Sequence, residues 1–161
     1  MGDKSPDVYR KALINALKKQ EGLLDPTLEA AFLAVPRHLF LPDETLEAAY
    51  ADQAIAIKQE SDGTVLSSSS QPSMMALMLH QLRLREGDNV LEIGAGSGYN
   101  AAIMQTIIGE RGNVTSVELD KLLADRAIAN LQKARLSAVV NIVNADGAMG
   151  YAPRAAYDRI I

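Results

Sequence analysis

From residue 88 onward, short apolar segments alternate with longer segments that have the periodicity of α-helices. The apolar segments are NVLEI (89–93), NVTSV (113–117), VVNIV (139–143) and YDRII (157–161), and helical patterns cover residues 99–108 and 121–136. Strands joined through helices pair in parallel, because a crossover of about a dozen residues returns the chain to the same end of the sheet. The alternation therefore predicts an α/β protein with a doubly wound, mainly parallel, Rossmann-like sheet.

The residues that precede this pattern are expected to form a helical and irregular extension. Ser-Pro-Asp at 5–7 and Asp-Pro at 25–26 are typical helix starts, and the second helix is expected to end before Val-Pro at 35–36. We expect residues 1–70 to pack on residues 71–161, which would form the first half of a Rossmann-like domain. The chain would then be a single structural domain overall.

A run of four serines at 67–70 stands directly before QPSMMALML. Asp-Gly at 62–63 predicts a turn ahead of it. Ser70 or Gln71 is expected to cap a helix that runs to about Leu82, with proline in its first turn. Methionine and leucine lie nearly all round that helix, so it is predicted to be buried on several sides. The serines are either a flexible linker before this helix or, as the resemblance described below implies through the motif SQP, a ligand-facing loop.

The bulk composition is that of an ordinary globular protein. Apolar residues make up 48% of the chain and charged residues 22%, and the net charge of −4 gives no basic surface for nucleic acid or anionic membranes. The start of the chain lacks the apolar region of a secretory signal. There is no cysteine, hence no thiolate nucleophile or disulfide, and no metal-ligand cluster is visible. These features predict a soluble, cytoplasmic protein without nucleic-acid or membrane partners and without a metal.

A glycine-rich turn, EIGAGSGY, links the first predicted strand of the sheet to its helix. Gly94, Gly96 and Gly98 would let a ligand approach the backbone closely, at the strand end where doubly wound folds bind nucleotides. Glu118 ends the next strand, where a carboxylate can accept hydrogen bonds from both ribose hydroxyls of an adenosine. The alternative is that the glycines only form a tight turn.

The spacing and the charges of this turn favour S-adenosylmethionine over a dinucleotide. The dinucleotide motif is G-x-G-x-x-G, whereas the third glycine comes one residue early in this chain. Glu92 stands two residues before the first glycine, and a carboxylate there would repel a pyrophosphate but attract an ammonium and a sulfonium. Asp146, in NADG after the third strand, could reach an adenine amino group. An NAD-dependent oxidoreductase is the more distant alternative.

Several motifs together resemble the protein-L-isoaspartate O-methyltransferase family. They occur in order from about residue 28 to residue 161, as VPRHLF.P (35–42), AYAD (49–52), SQP (70–72), VLEIGAGSGYNAA (90–102), SVELD (116–120) and ADG (145–147). The resemblance implies a Rossmann-like S-adenosylmethionine-dependent methyltransferase fold, with S-adenosylhomocysteine as the product of the cofactor. It also implies isoaspartyl-containing proteins or peptides as substrates, and hence protein repair.

The resemblance also assigns site residues. The family segment before the buried helix reads approximately G-Q-T-I-S-Q-P, which makes Ser70 the leading catalytic residue and puts Ser68 in the place of the threonine. Leu66 stands where the family has glycine, and the serine-rich version indicates a divergent branch. The positions assigned to the cofactor are Ser69, Gln71, Glu92, Gly94, Ala95, Gly96, Gly98, Glu118, Leu119, Asp146 and Gly147.

A serine-lined site without an obvious base suits methylation of a carboxylate. Such an acceptor is ionised at neutral pH, with an ordinary pKa of about 4, and needs donors that orient it rather than a general base. The two histidines, His38 and His80, are expected to be structural. The leading hypothesis is methylation of the α-carboxyl of L-isoaspartyl residues. The alternatives are methylation of an aspartate in a dedicated natural-product peptide and a non-catalytic cofactor-binding module.

The position of the last residue, Ile161, is unusual for this type of sheet. A methyltransferase sheet of this kind has about seven strands, whereas this chain ends in or beside the fourth. We therefore expect an incomplete sheet, from a truncated or partial sequence or from a fragment completed by another chain. An apolar strand left at an edge could also support self-association. On its own, the polypeptide is expected to bind S-adenosylmethionine weakly and to methylate poorly.

Overall fold

The computed structural model of the chain describes residues 5–20, 25–137 and 139–161. The helices are α1 (Pro6–Lys18), α2 (Pro26–Ala34), α3 (Leu46–Ala49), α4 (Pro72–Leu82), α5 (Tyr99–Ile108) and α6 (Lys121–Lys133). The strands are β1 (Ile55–Gln59), β2 (Val65–Ser69), β3 (Asn89–Ile93), β4 (Asn113–Glu118), β5 (Val140–Asn144) and β6 (Arg159–Ile160). Short 3-10 turns cover Arg37–Phe40, Gly147–Met149 and Ala152–Arg154. Within the described ranges, no helix is both long and apolar enough to cross a membrane.

The central sheet has the strand order β5-β4-β3-β6, and every neighbouring pair is parallel. The predicted α/β class and parallel sheet are confirmed. The chain adds β4 and β5 on one side of β3 and then reverses to add β6 on the other side. A crevice forms at such a reversal, beyond the carboxyl ends of the strands, and this is where open α/β sheets bind ligands. The glycine-rich turn leaves β3 at that point.

Helix α6 ends at Lys133, three residues before the predicted end. Arg135 adopts a left-handed conformation with φ of 61°. The N–H of Leu136 then donates to the carbonyl of Leu131 at 2.8 Å, which closes the helix. Glycine usually takes this position at the end of a helix. Because arginine occupies it in this chain, the sequence did not indicate that the helix ends there.

The expectation of a loop at the serine run is wrong for most of its length. Val65–Ser69 forms β2, which pairs antiparallel with β1 in a separate two-stranded sheet. The predicted turn at Asp62-Gly63 joins the two strands, with Gly63 at φ +89°. Serine has little strand preference of its own, but pairing uses backbone groups that every residue has. Of the four serines, only Ser70 lies outside the strand.

The predicted start of α4 is confirmed in position but not in its hydrogen bond. Gln71 occupies the position before the first helical residue, and its side chain makes no capping bond. A carboxylate from an earlier segment replaces it, because Asp52 Oδ1 accepts a hydrogen bond from the N–H of Ser73 at 2.8 Å. Predictions from neighbouring residues cannot detect a partner 21 positions away.

The N-terminal region and the sheet domain share one hydrophobic core. Tyr99, at the start of α5, packs against Phe32 and Phe40 with ring centroids 6.3 Å and 5.5 Å away. Leu17 of α1 is fully buried in the same cluster. The division of the chain at residue 70 stays a prediction, but the two parts are continuous in their packing.

Asn130 of α6 links the two parts by hydrogen bonds. Its buried side-chain amide donates to the carbonyl of Ser97, after the first glycines, at 3.1 Å and to that of Phe40 at 3.3 Å. Both carbonyls would lose this donor if the amide were removed, and a buried polar group without a partner costs about 1–3 kcal/mol.

We expect Asn130→Leu to lower the free energy of unfolding by about 2 kcal/mol, because the new side chain has similar size but no donor. Urea unfolding measures the change. Gln132→Leu, at an exposed position of the same helix, is the matched control and should change stability by less than about 0.5 kcal/mol. Equal urea concentrations at the unfolding midpoints of the two variants would contradict the role given to Asn130.

Candidate active site

A cavity of about 210 Å³ opens at the carboxyl end of β3. It lies between the end of β2, one face of α4, the glycine-rich turn and the start of α5. Its lining residues are Ser68, Ser69, Ser70, Met75, Met78, Glu92, Ile93, Gly94, Ala95, Gly96, Ser97, Tyr99, Asn100 and Ile161. The serine segment and the glycine-rich turn, more than 20 residues apart in the sequence, therefore form opposite parts of one cavity.

The glycine-rich turn is held against the end of β4. The N–H groups of Gly94 and Ala95 both donate to the carbonyl of Val117, at 2.7 Å and 3.2 Å. Gly98 begins α5 with φ of +84°, and a Cβ atom at that position would lie 3.3 Å from Cβ of Ala127 in α6. Glycine is needed at Gly98 both for its backbone conformation and for the close approach of α6.

Glu118 lies at the end of β4 with its carboxylate oriented by backbone donors. Oε2 accepts from the N–H of Gly96 at 2.9 Å, and Oε1 accepts from the N–H of Asp120 at 3.0 Å. The side-chain amide of Asn144 anchors the same strand end by donating to the carbonyls of Glu118 and Leu119 at 2.8 Å and 3.0 Å. Each carboxylate oxygen keeps accepting capacity for a further donor, such as a ribose hydroxyl.

Glu92 is buried beneath the turn, with 4% of its surface exposed. Its carboxyl accepts hydrogen bonds from the amide of Asn100 at 2.8 Å and from the hydroxyl of Ser116. Burial and, to a smaller extent, the nearby Glu118 carboxylate raise the pKa of Glu92, the two hydrogen bonds partly oppose the rise, and the resulting pKa is about 7. Glu92 also lines the cavity, and its raised pKa brings its titration close to neutral pH.

The predicted serines all line the cavity, but they differ in exposure. Ser68 and Ser70 are exposed and Ser69 is buried. The carbonyl of Ser70 accepts a hydrogen bond from Arg37 at 3.0 Å. Gln71, whose role in binding the cofactor stays a prediction, lies outside the cavity lining and donates its side-chain amide to the carbonyl of Asp52 at 3.1 Å.

The segment after β5 lies at the same edge of the sheet. Asp146 Oδ1 accepts from the N–H of Ala148 at 2.9 Å and caps the turn that follows. Gly147 packs closely on β3, because a Cβ atom there would be only 2.7 Å from Cγ2 of Ile93. The predicted residues Asp146 and Gly147 therefore reach the edge of the crevice.

Exposed apolar side chains occur at or after the ends of three strands. They are Ile93, the last residue of β3, Leu119 after β4 and Met149 in the turn after β5, and they are 44%, 73% and 94% exposed. Apolar surface beside an oriented carboxylate and a glycine-rich turn suits a ligand that joins a flat ring to a ribose. The residues present therefore fit an adenosine-containing cofactor.

In the described part of the chain, the lining of the cavity contains no histidine and no cluster of metal-ligating side chains. His38 Nδ1 lies 2.8 Å from the hydroxyl of Tyr50. Burial lowers the pKa of His38. His80 is exposed, with Nδ1 3.8 Å from Asp25 Oδ2. Both histidines lie away from the cavity lining.

Sequence reasoning missed four polar residues that support the site. Asn100 and Ser116 bind Glu92, Asp52 binds the start of α4, and Arg37 binds Ser70. Arg37 and Asp52 occur in the motifs VPRHLF and AYAD, which had no assigned role. An arginine enclosed by apolar residues and prolines was the available signal, because such a charge needs buried partners.

The comparisons with known proteins agree with this geometry. Residues 8–161 match the family model of protein-L-isoaspartate(D-aspartate) O-methyltransferase. A protein-L-isoaspartate O-methyltransferase of Methanosarcina mazei is 41% identical over 159 residues, covering 98% of this chain and 61% of the relative. One of Methanococcoides burtonii is 43% identical over 148 residues, covering 92% of this chain and 68% of the relative. The chain thus spans 61% and 68% of the lengths of these two curated relatives.

Solved structures give the same result for the fold. A protein-L-isoaspartate O-methyltransferase structure is 36% identical and superposes with a TM-score of 0.84, covering 94% of this chain and 47% of that chain. A structure from Plasmodium falciparum, described as a putative protein-L-isoaspartate O-methyltransferase in complex with S-adenosyl-L-homocysteine, is 22% identical with a TM-score of 0.78. It covers 94% of this chain and 71% of that chain, and at this identity it bears on the fold alone.

The raised pKa of Glu92 predicts a pH-dependent contribution to stability. A carboxyl whose pKa rises on folding binds its proton more tightly in the folded chain. Its stabilising contribution is therefore complete below its ordinary pKa of 4.5 and is lost as the pH rises through about 7. At about 1.4 kcal/mol per pH unit, the loss amounts to about 3 kcal/mol.

Glu92→Gln should remove this loss, because an amide keeps partners for Asn100 and Ser116 but does not titrate. We expect the free energy of unfolding of the variant, relative to the parent, to rise between pH 5 and pH 8. The lowered pKa of His38 acts in the opposite direction in both proteins and cancels in the difference. Urea unfolding at a series of pH values tests this, and parallel pH profiles would contradict it.

Proposed function

The chain belongs to the protein-L-isoaspartate O-methyltransferase family, and from this premise we propose that it methylates the α-carboxylate of L-isoaspartyl residues in proteins or peptides, with S-adenosylmethionine as the methyl donor. One observation carries the proposal: a single cavity is lined by both the serine segment and the glycine-rich turn. The serines would hold the acceptor, and the turn would hold the donor.

The cofactor would be held by residues around the crevice. When bound, S-adenosylmethionine supplies an electrophilic methyl group on a sulfonium. Glu118 would accept hydrogen bonds from the ribose hydroxyls, and the exposed side chains of Ile93, Leu119 and Met149 would flank the adenine ring. Asp146 would accept from the adenine amino group, and the ionised form of Glu92 would favour the cationic part of the donor.

The acceptor needs orientation rather than deprotonation. An α-carboxylate is already ionised at neutral pH, because its ordinary pKa is about 3.5. The hydroxyls of Ser68 and Ser70 would donate hydrogen bonds to one carboxylate oxygen and leave the other free to attack the methyl group. Holding the reacting atoms in this arrangement is the main task of such a site. The lack of histidine in the described lining of the cavity is compatible with this chemistry.

The product explains how methylation would serve repair. The methyl ester is neutral and electrophilic, whereas the carboxylate it replaces has no good leaving group, so the main-chain nitrogen that follows can attack the ester carbonyl, expel methanol and close a succinimide. Water then opens the succinimide to aspartate or isoaspartate. The same chain would act again on the isoaspartate, so that aspartate accumulates over repeated cycles.

A second acceptor is favoured by one departure from the family pattern. Leu66, in β2 directly before the serine run, stands in the place of a glycine. This change lies on the acceptor side, so a dedicated peptide with a specific aspartate side chain is the alternative substrate. A non-catalytic cofactor-binding module is the further alternative.

The substrate is tested with labelled S-adenosylmethionine and two peptides that differ only in an isoaspartyl or an aspartyl linkage. We expect base-labile label on the isoaspartyl peptide alone. Label on the aspartyl peptide alone would replace the proposal by the dedicated-peptide alternative. Label on neither, with cofactor binding intact, would overturn the repair function.

Ser70→Ala should lower kcat/KM for the isoaspartyl peptide by about 10- to 100-fold, because one hydrogen bond to a charged acceptor is lost. Binding of the cofactor, measured by titration calorimetry, should not change. Ser73→Ala is the matched control, since Ser73 lies in the first turn of α4 and outside the cavity lining. Equal activity of both variants would remove Ser70 from the acceptor site.

Cofactor affinity should rise between pH 6 and pH 8. A cation beside Glu92 favours the ionised carboxyl, and with a pKa of about 7 this form is a minority at pH 6. We expect the Kd of S-adenosylmethionine to fall several-fold over this range in the parent and to stay nearly constant in Glu92→Gln. A Kd of the parent that does not change with pH would show that the cation lies away from Glu92.

A further inference from the structure

Arg37 is a fully buried cation that contacts the serine segment. Its Nε donates to the carbonyl of Ala49 at 2.9 Å, and one Nη donates to the carbonyl of Ser70 at 3.0 Å. The other Nη lies 3.6 Å from the sulfur of Met75. The guanidinium also stacks over the ring of Tyr99, with Cζ 4.9 Å from the ring centroid. Two of these contacts, Met75 and Tyr99, line the cavity from behind.

A guanidinium in this position is costly for the fold. Removing such an ion from water costs several kcal/mol, and its direct partners are neutral. Burial accordingly lowers the pKa of Arg37, although the charge of Asp52 partly offsets the effect. Apolar side chains of similar volume often stabilise a core as well as a buried charge does. What arginine adds is a planar fork that holds two carbonyls in a defined geometry.

The other end of the same segment is held independently. The carboxylate of Asp52 accepts from the N–H of Ser73, and the carbonyl of Asp52 accepts from the side chain of Gln71. Residues 70–73 are therefore tied to two preceding segments, through Arg37 and through Asp52. Through β2, the position of Ser70 also sets the position of Ser68.

We propose that Arg37 is a positioning residue for the methyl acceptor, and that it acts by holding the carbonyl of Ser70. Arg37 lies outside the lining of the cavity, so its effect passes through the backbone to the hydroxyls of Ser68 and Ser70. The N–H groups of Gly94 and Ala95 are held by β4, and Arg37 touches the cofactor side only where it stacks on Tyr99, so the acceptor side should depend on Arg37 more than the cofactor side does. This inference rests on the proposed function for its kinetic consequence, but the structural consequence can be measured without it.

The kinetic test compares Arg37→Met with Arg10→Met in the full chain. Methionine fills most of the space of arginine without a donor. Arg10 is the matched control, because it is an arginine of α1 that binds Asp7 and the carbonyl of Leu33. We expect Arg37→Met to raise the KM of the isoaspartyl peptide about tenfold or more, with less than a twofold change in the Kd of S-adenosylmethionine. Arg10→Met should change neither.

A second variant covers the case in which Arg37→Met fails to fold. Arg37→Lys keeps the charge, but a single ammonium cannot reproduce the two-pronged contact, so the KM of the acceptor should rise here as well. A Kd for the cofactor that rises as much as the KM of the acceptor would make Arg37 a general structural residue and overturn the proposal. Unchanged acceptor KM in the folded variants would do the same.

Amide hydrogen exchange separates this inference from the proposed function. Residues 68–73 should exchange about tenfold faster or more in Arg37→Met or Arg37→Lys than in the parent, because the segment has lost its anchor. Arg10→Met should leave their exchange unchanged. If the parent methylates neither peptide, the repair function fails, yet faster exchange confined to this segment still supports the positioning role. Unchanged exchange, or an equal effect of Arg10→Met, contradicts it.

Discussion

The pairing of β3 with β4, continued through the turn that follows β3, is the constraint on which the site depends. The N–H groups of Gly94 and Ala95 share the carbonyl of Val117, and the N–H of Gly96 binds the carboxylate of Glu118. One strand end thus shapes the turn and orients the acid beside it. Burial under this turn raises the pKa of Glu92, and the closeness of Glu118 adds to the rise.

The N-terminal region supplies the other side of the cavity. Lys58 of β1 forms an ion pair with Asp120 at the start of α6, and Arg126 of α6 forms one with Asp43. The Lys58 pair ties the β1–β2 hairpin to α6, and Ile57 of this hairpin lies against the glycine-rich turn, where a Cβ atom at position 96 would be 3.4 Å from its Cδ1. Because exposed ion pairs are individually weak, the buried contacts of Arg37 and Asn130 carry more of this arrangement. The acceptor side of the proposed site is therefore built largely by residues that precede the sheet.

The parts that sequence predicted well are those with local patterns. β3 and α5 begin and end as expected, since apolar runs and a glycine-rich turn mark them within a few residues. β2 was missed, because a run of serines has no pattern typical of a strand. This segment forms a strand only through its pairing with β1. The end of α6 was misplaced because Arg135 adopts a backbone conformation usually taken by glycine. Glu92 and Glu118 were predicted as site residues because they belong to a motif with recognisable chemistry, whereas Arg37 and Asp52, which support the site from distant segments, were not.

The sequence by itself determined the parallel α/β sheet, the position of the glycine-rich turn, the two acids beside it and the family resemblance. Each of these depends on periodicity, on glycine conformation or on residues close together in the chain. Only the tertiary structure decided that the serines form a strand, that Glu92 lies buried between Asn100 and Ser116, and that Arg37 holds Ser70. Those features arise from backbone pairing and burial between distant segments, and neither leaves a local pattern in the residues concerned.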